Sequence, residues 1–284
     1  MHRPADATAS PLLSDKVHDA PSVFRPEVLL REARRQKRLP SESVPAVCML
    51  DPDGDIVAHL EGAGRARAHA GWACYHTNLV TFDLPGVEAP VGAIGRAVGA
   101  PFAVLLAEQL FASGCRLLLS VTSAGRIAAD LPAAPHFVLI ERALRDEGTS
   151  HHYLPPAPFA ETPDPGLLGR VEAGLRAEAP ELLVRRGATW TTDAPFRETE
   201  AAIAAARARG CLAVEMEAAA LYAFAAATGR SVLCFAHVTN TMGRDEGDFE
   251  KGEAEGAEAA LCAVGAAARV FAASAQEGEA PRPP

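Results

Sequence analysis

The sequence predicts an α/β protein in three layers, with a twisted, mostly parallel central sheet and helices on both of its faces. Three observations predict it. Short apolar runs alternate with helical patterns, as strand–helix–strand units do. The helical patterns are punctuated as helices are, by proline at the start and glycine just past the end. The chain has 284 residues and is 49% hydrophobic, enough to bury one large core.

The elements follow in order. Residues 1–43 read as an N-terminal extension with few core-type residues before FRPEVLLREARRQKRLP, where Pro26 suits a first helical turn and Pro40 stops the helix. Its basic REARRQKR run fits a solvated helix face or a phosphate contact. Strands are predicted at AVCML (46–50), NLVTF (78–82), VGAIG (91–95), RLLLSV (116–121), HFVLIE (136–141), CLAV (211–214) and SVLCFAHV (231–238). Helices are predicted over 101–113, 197–208, 215–228 and about 254–273. Pro101 opens the first, and Gly114, Gly210 and Gly229 close the first three. The proline-rich stretch 153–166 reads as a loop. The main domain thus covers 44–273, followed by a flexible tail over 274–284 whose QEGEAPRPP is polar and proline-rich.

Composition excludes some functions. Lys plus Arg number 27 against 36 Asp plus Glu, a net charge of −9. That argues against a nucleic-acid partner, which needs a basic footprint, and favours a small-molecule substrate. Six cysteines at 48, 74, 115, 211, 234 and 262 form no CxxC pair, which predicts free buried thiols in a reducing compartment rather than a zinc or redox site. MHRPADATAS lacks a signal-peptide pattern, and no apolar run approaches the ~20 residues of a membrane helix. The expectation is a cytoplasmic protein with no membrane partner.

In sheets of this kind, ligands bind beyond the carboxyl ends of the strands. The strand at 116–121 runs into Thr122-Ser123-Ala124-Gly125, the one at 211–214 into Glu215-Met216-Glu217, and the one at 231–238 into Thr239-Asn240-Thr241. TTDAPFRE (191–198) places Phe196 and Arg197 near the start of a helix. Of the two glutamates, Glu215 reads as structural, a helix cap or an arginine's partner. There is no metal-binding His–Glu pair on one helical face and no GxSxG elbow, so the chemistry must come from oriented neutral and acidic groups.

These residues carry a resemblance. VEMEAAALYAFA (214–225) resembles the ribose-binding segment of the nucleoside phosphorylase family, which includes purine nucleoside phosphorylases, uridine phosphorylases and related nucleosidases. GAIGRAVGAPFAVLLAEQLFASG followed by LLLSVTSAGRI resembles the family's glycine-rich segment, helix and phosphate-contacting loop. RDEGTSHHY (145–153) resembles a further family segment, and TTDAPFRETE the loop with the base-stacking aromatic. The similarity spans roughly 44–271. It implies that Met216 packs on the sugar and Glu217 accepts hydrogen bonds from its hydroxyls. It implies that Phe196 stacks on the base, with Arg197 beside it, and that Asn240 assists the leaving base. Thr122, Ser123 and Arg96 would meet phosphate or a nucleophilic water. The implied protein is a homo-oligomer that needs no cofactor and takes inorganic phosphate as co-substrate.

The sequence departs from that family in two places. A GDPxR-like loop usually follows the first strand; here the stretch is MLDPDGDIV (49–57), without the arginine and with Asp51, Asp53 and Asp55. Ser120 stands where a second arginine is usual. Charge-assisted contacts to phosphate are the strong ones, and both are absent. Arg96, Arg126 or a neighbouring subunit would have to replace them. Three readings follow: phosphorolysis of a purine or pyrimidine nucleoside to free base and ribose 1-phosphate, placed first; hydrolysis by water; and a nucleoside-binding sensor without turnover. Asn240 leans towards 6-oxopurines by analogy, and the DAPFRE loop towards uridine.

Overall fold

The computed structural model describes residues 10–14, 16–131, 135–242 and 248–279, the last five by backbone alone. The first nine residues of the expected extension and the last five of the expected tail lie outside the described residues.

The chain begins with α1 (Pro26–Lys37), β1 (Val47–Asp51), α2 (Asp55–Gly62), β2 (Arg67–Ala68), β3 (Val80–Phe82), β4 (Val91–Gly95) and α3 (Ala100–Ala112). It continues with β5 (Leu117–Arg126), β6 (His136–Asp146), β7 (Phe159–Glu161), α4 (Pro165–Glu178) and β8 (Val184–Thr192). The last elements are α5 (Glu200–Ala208), β9 (Cys211–Glu215), α6 (Ala218–Thr228), β10 (Ser231–Asn240) and α7 (Ala257–Glu279). Residues 16–43 meet the rest of the chain mainly through α1, while Val17, Val23 and Phe24 stay exposed. Leu30 and Ala33 of α1 are buried near Ala112 of α3, and His18 contacts the backbone of His151. The basic side chains of α1 bond Glu32, Pro40 and Cys74.

One sheet holds all ten strands, and it is mixed. Parallel pairs join β1 to β4 and β5, β10 to β5, and β8 to β6 and β9. Antiparallel pairs join β2 to β3, β3 to β4, β6 to β7 and β10, and β5 to β9. Because β5 pairs with both β10 and β9, the path β5–β10–β6–β8–β9 returns to β5 and closes a ring. The length of β5 makes this possible. Its first half pairs with β1 and its end, Gly125 and Arg126, pairs with Val214 and Ala213 of β9. The TSAG stretch expected to be a loop is therefore strand.

Strand alternation sorts the apolar residues into two cores, one per face. Cys48, Leu50, Leu118, Val232 and Cys234 face α3 and α6. Met49, Leu117, Leu119, Leu233 and Phe235 face α2, α4 and α7. This is the three-layer arrangement predicted. The apolar α6 is buried from Ala218 through Ala225. The Tyr222 hydroxyl donates to the Ile140 carbonyl at 2.5 Å and accepts from the Cys234 amide at 3.1 Å, which ties α6 to β6 and β10.

Several boundaries differ from expectation. The central strand β8, VRRGATWTT, was not predicted, because two arginines and a glycine break its apolar run. Its exposed arginines lie at one end, and Gly187 through Thr192 are buried in the ring. Helix α4 carries buried Leu167, Leu168, Val171 and Leu175 at helical spacing, but its glycines hide the pattern. Strand β7 interrupts the expected 153–166 loop. Helix α6 starts at Ala218, because Glu215 completes β9. Helix α5 starts at Glu200, after a 3-10 turn at Pro195–Arg197. Helix α7 runs on to Glu279, past the expected end at 273. One span, Glu253–Ser274, is long and apolar enough to cross a membrane by length and composition, contrary to the expectation of none. In the fold 56% of that window is buried, and Leu261 and Val264 pack into the second core, so its apolarity serves the interior.

Candidate active site

The two glutamates of the β9–α6 junction have different surroundings. Glu215 is buried, and its Oε1 accepts from the Thr191 hydroxyl at 2.5 Å and the Thr189 hydroxyl at 3.1 Å. Its Oε2 accepts from the Glu217 and Ala218 amides, both at 2.7 Å. Glu215 thus caps the start of α6 and fastens it to β8, without an arginine. Burial pushes its carboxyl up, and the hydrogen bonds from Thr191, Ala218, Glu217 and Thr189 oppose that.

Glu217 occupies the backbone cap position of α6 and is 1% exposed. Its Oε1 accepts from the Gly99 amide at 2.7 Å, across the β4–α3 turn. Its Oε2 is buried with no hydrogen-bond partner in the protein. Burial first, and then the charge of Glu215, push the carboxyl up to about 8, against the Gly99 amide and the nearby Thr122 hydroxyl. A buried polar atom without a partner is uncommon and needs an explanation.

Beside this junction, at the carboxyl ends of β5, β9 and β10, lies a cleft of about 450 Å³. That volume is within the range of small-molecule sites. Met216, Ser123, Asn240 and Phe196 all line it. The Asn240 Oδ1 accepts from the Met242 amide at 2.9 Å, which fixes the orientation of the amide. Its Nδ2 makes only long contacts, 3.3 Å to Thr239 and 3.4 Å to the Ala124 carbonyl. Gly125 makes room here, since a Cβ would fall 2.2 Å from the Met242 Sδ and 3.2 Å from the Asn240 Oδ1. Phe196 lines the cleft while the residue is 99% exposed.

The other expected residues, Glu217 among them, lie outside that lining, although Glu217 directly follows the lining residue Met216. Thr122 is buried near Glu217, its hydroxyl donating to the Ser123 carbonyl at 3.3 Å, and it lines a small adjoining cavity that shares Ser123. Arg197 is exposed and does not line the cleft. Arg96 is exposed, lines a separate groove with His76, Asn78 and Phe102, and has φ +62°. A larger cavity of about 640 Å³ lies beside α1 and α3. It is mostly apolar and lacks the converging strand ends, so the smaller cleft is the better site. Among the described residues no three His, Cys, Asp or Glu side chains are grouped to hold a metal ion.

Two residues of the region escaped the sequence reading. Glu198 is half-buried in the cleft, and burial pushes its carboxyl up to about 7. Its only signal was its place two residues after Phe196. Asp51 is expected only as one of three aspartates that would repel an anion, and its burial at the end of β1 is not legible in the sequence.

The family model of the phosphorylase superfamily matches residues 54–272. The chain belongs to the phosphorylase superfamily. Within that superfamily it is 31% identical over 145 residues to a DeoD-type purine nucleoside phosphorylase of Myxococcus xanthus, covering 50% of this chain and 59% of the relative. It is 27% identical over 147 residues to an uncharacterized protein of Acanthamoeba polyphaga mimivirus, covering 52% and 55%. The chain thus spans a little over half the length of these curated relatives. Its fold is that of the uridine phosphorylase of Vibrio fischeri, with TM-score 0.66, 17% identity, and 82% and 95% of the two chains covered. It matches equally the purine nucleoside phosphorylase of Toxoplasma gondii in complex with immucillin-H, with TM-score 0.67, 15% identity, and 84% and 95% covered.

Proposed function

We propose that this phosphorylase-superfamily chain cleaves the N-glycosidic bond of a purine or pyrimidine nucleoside. The observation that carries the reading is a buried, partnerless carboxylate oxygen on Glu217 next to a cleft lined by Met216, Asn240 and Glu198. Glycosidic cleavage develops positive charge on the sugar and negative charge on the base. In this reading the Glu217 Oε2, buried next to the cleft residue Met216, accepts from a sugar hydroxyl and, once ionised, favours the cationic ring. Asn240 offers its Nδ2–H to the base, and Glu198 can accept from or donate to the base edge near neutral pH. Phe196 offers an exposed aromatic side chain in the cleft lining.

Phosphorolysis, giving ribose 1-phosphate, and hydrolysis, giving ribose, share this grip on the nucleoside. They differ in what meets the anomeric carbon from the side of Thr122 and Ser123. The test of the shared step is base release from inosine, adenosine and uridine. Glu217→Ala is expected to lower turnover by about 10²–10³-fold, the size seen when one transition-state contact is removed. Turnover unchanged in that variant would remove the sugar-binding assignment. Binding without base release would leave a sensor.

A further inference from the structure

The small cavity that adjoins the cleft at Ser123 has a lining unsuited to an anion. Thr122 and Ser123 form one wall, and Asp51, Asp53, Asp55, Glu255 and Lys251 line the rest, with His237 beside them. Four carboxylates therefore face one ammonium. Lys251 is already paired, with Asp53 at 3.4 Å and with Asp55. His237 is held neutral at physiological pH, because burial and then the charge of Lys251 push it down to about 4.

The first turn of a helix is the natural seat for an oxyanion, since its amide N–H groups lack intrahelical partners. In α2 that seat is taken by the chain itself. The Gly54 amide donates to the Asp51 Oδ1 at 3.1 Å, and the Val57 amide donates to the Asp51 Oδ2 at 2.9 Å. Gly54 holds φ +88° to make that turn, and its missing side chain leaves space for Arg96, whose Cγ would lie 2.7 Å from a Cβ there. What remains of the cavity is about 20 Å³. That is room for one water, which needs roughly 10–15 Å³ on this kind of measure, and not for a phosphate. The hydroxyl of Thr122 connects the cavity to Glu217, whose Oε2 has no partner.

We propose that the acceptor in this site is water, seated in this cavity, and that Asp51 takes its proton and determines the choice of water over phosphate. The proposal rests on the nucleoside-cleavage reading given above. In the step, the water oxygen bonds to the anomeric carbon as the bond from that carbon to the base nitrogen breaks. The electron pair of that bond leaves with the base nitrogen, which takes up one proton. The water's proton passes to Asp51 and is later released to solvent. The sum is nucleoside plus water to ribose plus free base. Burial, with the charges of Asp53 and Asp55 adding to it, pushes the Asp51 carboxyl up to about 6 against its two amide hydrogen bonds, so it is a competent base at neutral pH.

The test gives the full chain inosine, adenosine and uridine in heavy-oxygen water, with and without inorganic phosphate, and identifies the sugar product by mass. The expected result is ribose carrying one heavy oxygen, at a rate that phosphate does not change. Base release that depends on phosphate and yields ribose 1-phosphate overturns this inference and leaves nucleoside cleavage standing. No base release with either acceptor overturns both. Asp51→Asn keeps one acceptor oxygen for the Val57 amide, and the Gly54 amide retains the Asp51 backbone carbonyl at 3.1 Å. With an unfolding midpoint measured alongside to confirm the fold, it is expected to lower kcat by about 100-fold or more, within the usual contribution of a general base. Its KM should stay within about twofold of the parent's, which is under ~0.4 kcal/mol. An unchanged kcat in Asp51→Asn overturns the role given to Asp51.

Discussion

At the residue scale, Glu215 and Glu217 show how two identical side chains, two positions apart, take different work. Glu215 has four donors on its two oxygens and none to spare. Glu217 has one amide on Oε1 and nothing on Oε2. The sequence showed that VEMEAAALY was unusual, and reading Glu215 as a helix cap was correct. The donors themselves were not legible, because Thr189 and Thr191 belong to the unrecognised β8 and Gly99 lies 118 residues from Glu217. The raised carboxyl of Glu217 gives a prediction. kcat/KM reports ionisations of the free enzyme, so it should rise with pH through a limb near 8, and Glu217→Gln should flatten that limb. A parent profile flat from pH 6.5 to 9 would contradict it. Gly125 gives another. Gly125→Ala should push Met242 into the cleft and raise the nucleoside KM by about tenfold, ~1.4 kcal/mol, while the unfolding midpoint changes little. An unchanged KM would show that the Met242 side chain simply moves away.

At the element scale, the site exists because β5, β9 and β10 end together and β8 supports them from behind. Strand β8 supplies Thr189 and Thr191 to Glu215, and the Thr191 hydroxyl also accepts from the Ala219 amide of α6 at 2.9 Å. Replacing Glu215 by Gln puts an NH2 where an oxygen accepts, so at least one buried donor loses its partner. The expected loss is roughly 2–4 kcal/mol of unfolding free energy, read from urea titration, with the m-value unchanged. A loss below about 0.5 kcal/mol, the size of an ordinary surface change, would contradict the capping role. The elements legible in sequence were those with unbroken apolar runs, such as β1, β4 and β10. Those missed, β8 and α4, carry arginine and glycine inside their patterns. Their burial is decided by the partners they meet and not by their own periodicity.

At the scale of the whole molecule, the three layers and a cleft at the strand ends were legible, and the closed ring was not. Alternating strands and helices announce a sheet with helices on both faces. They do not announce that β5 is long enough to pair with β9 on its far half, which is a matter of register between distant segments. The molecule also buries several carboxyls whose ionisation is opposed, Asp51 up to about 6, Glu198 to about 7 and Glu217 to about 8. Each binds its proton more tightly folded than unfolded, so each favours the fold below its unfolded pKa and loses that contribution as pH rises through the folded value. His237, down to about 4, acts in the opposite sense and only below about 6.5. Stability from these groups should therefore fall as pH rises from 6.5 to 8.5, and Glu217→Gln should reduce the fall. Urea midpoints that rise over this interval, or that respond identically in the variant, would contradict the assignment.

The central claim is that one cleft holds a nucleoside with its sugar on Glu217 and its base between Asn240 and Phe196. The most direct test is a crystal structure of the chain with a bound, non-hydrolysable nucleoside analogue. The account predicts a sugar hydroxyl within hydrogen-bonding distance of the Glu217 Oε2, the base edge facing the Asn240 Nδ2, and the Phe196 ring over the base. A ligand seated in the larger cavity beside α1 and α3, or a sugar facing away from Glu217, would contradict it.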